Sequence, residues 1–184
     1  MHLILIGGAK GVGKTTIIKR YAERHPVDCA FSSRLYWQHK DHYPFPQIKE
    51  MMLEDILART SPILLVDTHY ANLSRQYGIR PAWSPAHLAR IADAPHISGV
   101  RAYLLYASPE SVRDRRKNDR DKLRRVDIRS IRGDLEANER YFPALVSFLK
   151  ERNRLVDAGR IENTTLDATV TAFEERIGHN IYEP

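Results

Sequence analysis

Near the start of the chain, glycines, a lysine and threonines follow one another in a spacing that suits phosphate chemistry. The segment from Gly8 to Thr15 reads G-x-x-x-x-G-K-T, the pattern of a loop whose backbone N–H groups surround a polyphosphate. The ammonium of Lys14 can bridge β- and γ-phosphate oxygens, and the Thr15 hydroxyl can ligate Mg²⁺. The pattern therefore predicts a site for a nucleoside triphosphate and Mg²⁺. The predicted nucleotide-binding residues are Gly8, Gly11, Val12, Gly13, Lys14, Thr15 and Thr16.

The elements on either side of this loop have the order that such a site requires. An apolar run over residues 3–6 precedes it and predicts a strand, and residues 17–24 follow it as a predicted helix. Because the helix begins near Lys14, the positive end of its dipole points at a bound phosphate. The alternative is a glycine turn that joins a strand to a helix and binds nothing.

A second candidate ligand for Mg²⁺ ends a later strand. Residues 63–67 are Ile-Leu-Leu-Val-Asp, an apolar run that suits the centre of a parallel sheet. Asp67 then emerges at the carboxyl edge, where open α/β sheets bind ligands. We predict that Asp67 and Thr15 hold the metal, and the alternative is that Asp67 caps a helix.

The densest charge in the chain lies between Arg113 and Arg125. An apolar stripe is nearly absent there, so the segment is predicted to be a charged helix that faces solvent or a polyanion. A mobile arginine-rich lid over about residues 113–127 suits a kinase, which needs cations that close over the transferring phosphoryl group. The alternative is a solvated helix with i,i+4 ion pairs. The predicted catalytic residues are Lys14, Arg116, Arg120 and Arg125.

The acceptor is expected to bind to an insertion over about residues 32–59, where aromatic side chains collect. Tyr36, Trp37, Tyr43 and Phe45 either stack on a base or cover the edge of the sheet. The residues predicted to bind the acceptor phosphate are Arg34, Arg75 and Arg80.

Composition limits the class of protein. The chain has 184 residues, 42% of them hydrophobic, which suits a single domain over residues 1–184. No apolar run reaches the roughly 20 residues that cross a bilayer, and the chain opens on a strand rather than a secretory signal. A cytoplasmic protein without a membrane partner is therefore expected. The lone Cys29 excludes an intramolecular disulfide and a multi-cysteine metal site, and the net charge of +6 suits anionic small molecules or RNA.

Apolar runs alternate with helical patterns along the whole chain. Such alternation predicts a three-layer α/β domain with a parallel sheet of five strands. The predicted strands cover residues 3–6, 27–31, 63–67, 100–106 and 160–163. Residues 70–83 are predicted to be a long functional loop.

Four motifs resemble those of the archaeal-type adenylate kinases, a branch of the P-loop nucleoside monophosphate kinases. They are Gly11-Val12-Gly13-Lys14-Thr15-Thr16, Val66-Asp67-Thr68-His69, Arg115-Arg116-Lys117-Asn118-Asp119 and Arg125-Val126-Asp127-Ile128. Their order and spacing agree with the family over most of the chain. The resemblance implies a P-loop NTPase fold with the sheet order 2-3-1-4-5, Mg-ATP as the donor, and a nucleoside monophosphate, first of all AMP, as the acceptor.

The chain departs from this family between Phe31 and Arg59. The segment is shorter here and lacks the family's Arg-Asp-x-x-Arg stretch, which helps to hold the AMP phosphate. The resemblance thus covers the donor site and leaves the acceptor open.

Two other functions share some of these features. A polynucleotide 5′-hydroxyl kinase has a segment similar to Val66-Asp67-Thr68, but it needs an acidic base near the end of the second strand. This chain has Phe31-Ser32-Ser33-Arg34 there and no acid before Asp41. A nucleotide-dependent switch that binds RNA or a protein would use the basic surface without a small acceptor. The sequence therefore predicts phosphoryl transfer to a small nucleotide, with RNA or a protein as the alternative partner.

Overall fold

The computed structural model describes residues 1–74, 78–119 and 125–178. Its strands are β1 (His2–Gly7), β2 (Asp28–Phe31), β3 (Ile63–Asp67), β4 (Ala71–Ser74), β5 (Gly78–Pro81), β6 (Gly99–Tyr106) and β7 (Leu155–Glu162). Its helices are α1 (Lys14–Ala22), α2 (Ser32–His39), α3 (Phe45–Leu57), α4 (Pro85–Asp93), α5 (Pro109–Asn118), α6 (Ile128–Glu151) and α7 (Leu166–Gly178).

Strand β1 lies at the centre of a five-stranded parallel sheet with the order β2-β3-β1-β6-β7. The five predicted strands are present, although the last one begins at Leu155 instead of residue 160. The predicted parallel sheet and its order are therefore confirmed. Ile6 of β1 pairs with Asp67 of β3. The register therefore places the Asp67 carboxylate beside the strand that leads into the glycine loop.

Both faces of the sheet are covered. Along β1, Leu3 and Leu5 belong to one apolar cluster, whereas Ile4 and Ile6 belong to another. Successive side chains of a strand point to opposite faces, so the two clusters lie on opposite sides of the sheet. Helices α3, α4 and the second half of α6 contribute to the first cluster, and α1, α5, the first part of α6 and α7 contribute to the second. Within the described residues, no helix has the length and apolarity that crossing a bilayer requires.

Residues 70–83 differ from the sequence prediction. They contain the antiparallel hairpin of β4 and β5, in which Ala71 pairs with Pro81. The side chain of Asn138 on α6 accepts hydrogen bonds from Tyr70 N at 2.9 Å and Ala71 N at 3.2 Å. A side chain from a distant helix thus satisfies the backbone at the start of the hairpin, and the predicted loop was wrong because nothing local signals this contact.

The charged helix α5 is shorter than the sequence predicts. It ends at Asn118, and Asp119 at its C-cap has an extended backbone. Residues 120–124, which include the predicted catalytic Arg120, lie outside the described residues. The next helix begins after Asp127, whose carboxylate accepts a hydrogen bond from Ser130 N at 2.8 Å.

Candidate functional site

The P-loop, residues 8–15, follows β1 and continues into the first turn of α1. At three of its positions the backbone has a conformation that only glycine adopts readily. Gly8, Gly11 and Gly13 have φ angles of 146°, 84° and 97°. A Cβ on Gly13 would also lie 2.4 Å from Asn163 Nδ2. Helix α1 begins at Lys14 without a side-chain cap, so the N–H groups of its first turn can bind an anion.

Lys14 is buried against its own loop. Its Nζ donates to Gly8 O at 2.9 Å and to Ala9 O at 3.1 Å. His69 Nδ1 lies 2.6 Å from Gly8 O, so we assign the ring proton to Nδ1, which donates to that carbonyl. His69, two residues after Asp67, therefore fastens the loop to the end of β3. A bound phosphate would replace these carbonyls as the hydrogen-bond acceptor of the Lys14 ammonium.

Thr15 and Asp67 come together where β3 meets α1. The Thr15 hydroxyl donates a short hydrogen bond to Asp67 Oδ2, and Asp67 is buried. A hydroxyl and a carboxylate at one point supply two hard oxygen ligands, and Mg²⁺ takes few ligands from a protein when phosphates and waters complete its shell. These two residues therefore fit the predicted metal site. No group of three or more His, Cys, Asp or Glu side chains with metal-ligand geometry occurs among the described residues.

Arg116 is buried, contrary to the expectation that the arginines of this segment face solvent or a polyanion. Its guanidinium donates twice to Lys10 O, at 3.1 and 2.8 Å, and once to Arg125 O at 3.0 Å. It also forms an ion pair with Asp134 of α6 at 2.8 Å. A guanidinium can leave solvent when carbonyl and carboxylate oxygens satisfy its donors. Arg116 therefore connects the P-loop to Arg125 and to α6.

Arg115 holds the other side of the P-loop. It donates to Val12 O at 3.1 Å and to Asn163 O at 3.0 Å, and burial lowers the pKa of its guanidinium. Asn163 Nδ2 also donates to Val12 O, at 2.6 Å, and Asn163 Oδ1 accepts from Thr169 Oγ1 at 3.0 Å. Val12, predicted to bind nucleotide, is buried, and its carbonyl anchors the loop to the end of β7.

A cavity of about 880 Å³ adjoins the P-loop, within the roughly 300–1,000 Å³ range of small-molecule sites. We call one part of its lining the P-loop end, which consists of Lys10, Gly11, Gly13, Lys14, Thr15, Thr16, Asp67, His69, Asn72, Arg115, Arg116, Asn118, Asp119, Arg125, Ser130 and Asp134. We call the other part the aromatic end, which consists of Ser32, Ser33, Tyr36, Trp37, Phe45, Lys49, Met52, Thr68, Ala82 and Trp83.

The rings of the aromatic end come from α2, α3 and the segment after β5. The Tyr36 ring lies edge to face with Trp37 and Phe45, with centroids 5.5 and 6.1 Å apart. Trp83 is buried, and its Nε1 donates to Thr68 Oγ1 at 2.9 Å. Trp37 and Phe45 are 52% and 47% exposed, so a ligand can reach their faces.

The other predicted arginines are spread over the molecule. Arg34 on α2 and Arg80 on β5 are exposed and do not line the cavity, whereas Arg125 is exposed and does line it. Arg75 and Arg120 lie outside the described residues. The phosphate-binding roles of these five arginines stay predictions.

Lys49 is the cation among the described residues that line the aromatic end, and it is absent from the residues predicted from the sequence. It precedes the buried residues Met52, Leu53 and Ile56 by three, four and seven positions, the spacing of one helix face. A lysine within that apolar stripe is the signal that could have identified it. Its Nζ lies 4.9 Å from the centroid of the Trp83 ring, and burial lowers the pKa of the ammonium to about 8.

No protein-family model matches the chain, and no curated protein matches it significantly. Several solved structures share its fold. The chain is 16% identical to a gluconokinase from Sinorhizobium meliloti 1021, with a TM-score of 0.58 and coverage of 98% of this chain and 95% of that one. It is 17% identical to the tunicamycin resistance protein of Deinococcus radiodurans, with a TM-score of 0.57 and coverage of 99% and 98%.

A shikimate kinase from Bacteroides thetaiotaomicron is also similar, with 11% identity, a TM-score of 0.52, and coverage of 96% of this chain and 98% of that one. Identities this low establish fold and not substrate. The chain therefore shares the α/β fold of these three structures, with a five-stranded parallel sheet covered by helices on both faces.

Proposed function

We propose that the protein transfers the γ-phosphoryl group of Mg-ATP to a nucleoside monophosphate, with AMP as the first acceptor to test. One observation carries the proposal. A single cavity joins the P-loop end to an aromatic end that offers rings and a lysine, and the described residues of that aromatic end include no carboxylate.

The P-loop end has the groups that donor chemistry requires. The N-terminus of α1 and the loop N–H groups bind the phosphates, and Lys14 neutralises charge on the group that moves. Thr15 and Asp67 would hold Mg²⁺, which neutralises the charge that develops on the phosphate oxygens. Arg115 and Arg116 donate to loop carbonyls, so they keep the loop in place before the nucleotide binds.

The aromatic end suits an acceptor that is already anionic. A phosphate acceptor needs positioning and charge neutralisation more than a general base, whereas a hydroxyl acceptor needs a base within hydrogen-bond reach. The carboxylates of the described lining are Asp67, Asp119 and Asp134, and all belong to the P-loop end. Asp67 accepts from Thr15, and Asp134 pairs with Arg116. This distribution favours a phosphate over a hydroxyl acceptor.

The aromatic rings suit a base. Trp37 and Phe45 present exposed faces beside Tyr36, and each ring that stacks on a base contributes about 1–3 kcal/mol without selecting a particular base. A nucleoside monophosphate supplies both the base for these rings and the phosphate that accepts the transferred group.

The proposal is tested by measuring ADP formed from Mg-ATP alone and with AMP, CMP, GMP, UMP, or an RNA with a 5′-hydroxyl end. We expect ADP formation that depends on a nucleoside monophosphate, together with the matching nucleoside diphosphate as product. Transfer to the RNA end alone would replace the proposal with a hydroxyl kinase. Slow ADP release that no acceptor stimulates would replace it with a nucleotide-dependent switch.

A further inference from the structure

Helix α3 presents a lysine to the cavity at a position where a helix of this kind normally places an apolar side chain. Lys49 lies on the face that contains Met52, and its Nζ is 4.9 Å from the Trp83 ring centroid and 5.8 Å from that of Phe45. A lysine stem can pack against apolar groups while its ammonium stays at the polar boundary. Here that boundary is the cavity, which Lys49 lines.

The acids of α3 are engaged elsewhere. Glu50 pairs with His87 at 2.7 Å and with Arg90 at 2.8 Å, Glu54 also pairs with Arg90, and Asp55 pairs with Arg59 at 2.9 Å. Lys49 has neither a hydrogen bond nor an ion pair with any side chain in the described parts of the chain, and its ammonium lies beside the rings of Phe45 and Trp83. A half-buried ammonium without an anion is costly unless a ligand supplies the charge.

We propose that Lys49 binds the phosphate of the acceptor, so that the anion of a nucleoside monophosphate is held by the aromatic end itself. This inference rests on the proposed function and names the residue that positions its acceptor. The ammonium would donate to the acceptor phosphate from the side of Trp83, while the exposed rings of Trp37 and Phe45 contact the base.

The distribution of cations along the cavity supports this role over a role with ATP. The P-loop end already has Lys14, Arg115 and Arg116 for the donor, whereas Lys49 is the cation of the described aromatic end. Tyr36 also lines the aromatic end, His87 contacts the Trp83 ring, and the Lys40 ammonium lies over the Trp37 ring. The titratable and charged groups of the adjoining P-loop end are Lys10, Lys14, Asp67, His69, Arg115, Arg116, Asp119, Arg125 and Asp134. Burial is the cause of the lowered Lys49 pKa, with no contribution from these groups. The ammonium is therefore charged at pH 7 and loses its proton as the pH rises through about 8.

The test compares Lys49→Met with Lys150→Met, a matched change at an exposed helical lysine outside the cavity lining. We expect Lys49→Met to lower kcat/KM for AMP by about 10- to 100-fold, the usual contribution of a hydrogen bond to a charged group. The KM for ATP should stay within about twofold of the wild-type value. Lys150→Met should leave both constants unchanged. Lys49→Arg, which keeps a cation of similar reach, should restore most of the loss.

Two further readouts separate binding from a structural effect. Calorimetric titration of AMP into the nucleotide-free protein should show the same weakening in Lys49→Met, with an unchanged thermal unfolding midpoint. In the wild type, kcat/KM for AMP should fall as the pH rises above about 8, because the free enzyme then loses the ammonium. Lys49→Arg should remove that fall, since a guanidinium stays protonated.

The two possible failures differ. If the wild type forms no ADP with any of the four monophosphates, the proposed function fails and this inference fails with it. If the wild type phosphorylates AMP but Lys49→Met keeps the wild-type KM for AMP and the wild-type pH profile, the proposed function stands and Lys49 is not the acceptor ligand.

Discussion

The P-loop end and the aromatic end of the cavity are built in different ways. At the P-loop end, main-chain groups make the site, and Lys14, Arg115 and Arg116 donate to the carbonyls of the loop. At the aromatic end, side chains from α2, α3 and the segment after β5 make the site, and Trp37 and Phe45 keep about half their surface exposed.

The two ends are therefore encoded differently in the sequence. A backbone site depends on consecutive residues that take special φ angles, so a short motif specifies it. A side-chain site depends on which helices approach one another, so its residues are far apart in sequence. We therefore expect substitutions at the P-loop end to affect chemistry with every acceptor, and those at the aromatic end to affect the acceptor alone.

The largest effect is expected for Lys14→Ala. Loss of a cation on the transferring group should lower kcat by about 10³-fold or more with all acceptors. The exposed Lys19 on the same helix provides the control, since Lys19→Ala should keep wild-type kcat. Circular dichroism should show that both variants are folded. A folded Lys14→Ala variant with wild-type kcat would remove the P-loop end from the mechanism.

Asp67→Asn should have the second largest effect. Mg²⁺-dependent turnover should fall by about 100-fold or more, because the amide is a poorer ligand for the metal than the carboxylate. ATP binding measured without metal should change much less. The comparison is a pair of ATP titrations with Mg²⁺ and with EDTA. Equal weakening in both would assign Asp67 to holding Thr15 in place rather than to the metal.

Arg116→Met should lower the free energy of unfolding by more than it weakens the binding free energy of the acceptor. The Arg116–Asp134 pair and the Arg20–Glu23 pair have the same 2.8 Å separation, but the arginine side chains are 3% and 46% exposed. Breaking a buried pair should lower the free energy of unfolding by about 3 kcal/mol. Arg20→Met should change it by less than about 1 kcal/mol. Urea denaturation measures both, and similar small values would show that burial of Arg116 does not matter for stability.

The smallest effect is expected for Trp37→Ala at the aromatic end. Loss of one base–aromatic contact should raise the KM for AMP by about fivefold or more and leave the KM for ATP unchanged. Tyr43→Ala is the control, because Tyr43 is also exposed but does not line the cavity. If the KM for ATP rose instead, the assignment of the two ends would have to be reversed.

The sequence predicted the elements whose signals are local. The five sheet strands followed from apolar runs, and the glycine positions and the Thr15–Asp67 pair followed from a contiguous motif and one strand end. The hairpin of β4 and β5 was missed because Asn138 of α6 holds its backbone from far along the chain.

The side chains of the site were harder to place. Arg116 lies among charged residues, and only the fold shows that loop carbonyls and Asp134 surround it. For Lys49, the sequence shows its position among the apolar residues of α3, but only the fold shows the Trp83 ring beside it. Whether a charged side chain is buried depends on which distant elements pack against it, and the periodicity of apolar residues does not specify that packing.

The hydrogen bond from Asn163 to Val12 has a consequence for how the chain folds. The two residues are 151 positions apart, so the P-loop is braced by a contact of very long range. Closing a loop of this length costs conformational entropy that the rest of the fold has to offset. A nascent chain that has β1 and α1 but has not yet reached residue 163 therefore lacks the brace. Nucleotide binding would then report that β7 has docked, and ATP would stabilise the finished domain rather than its folding intermediates.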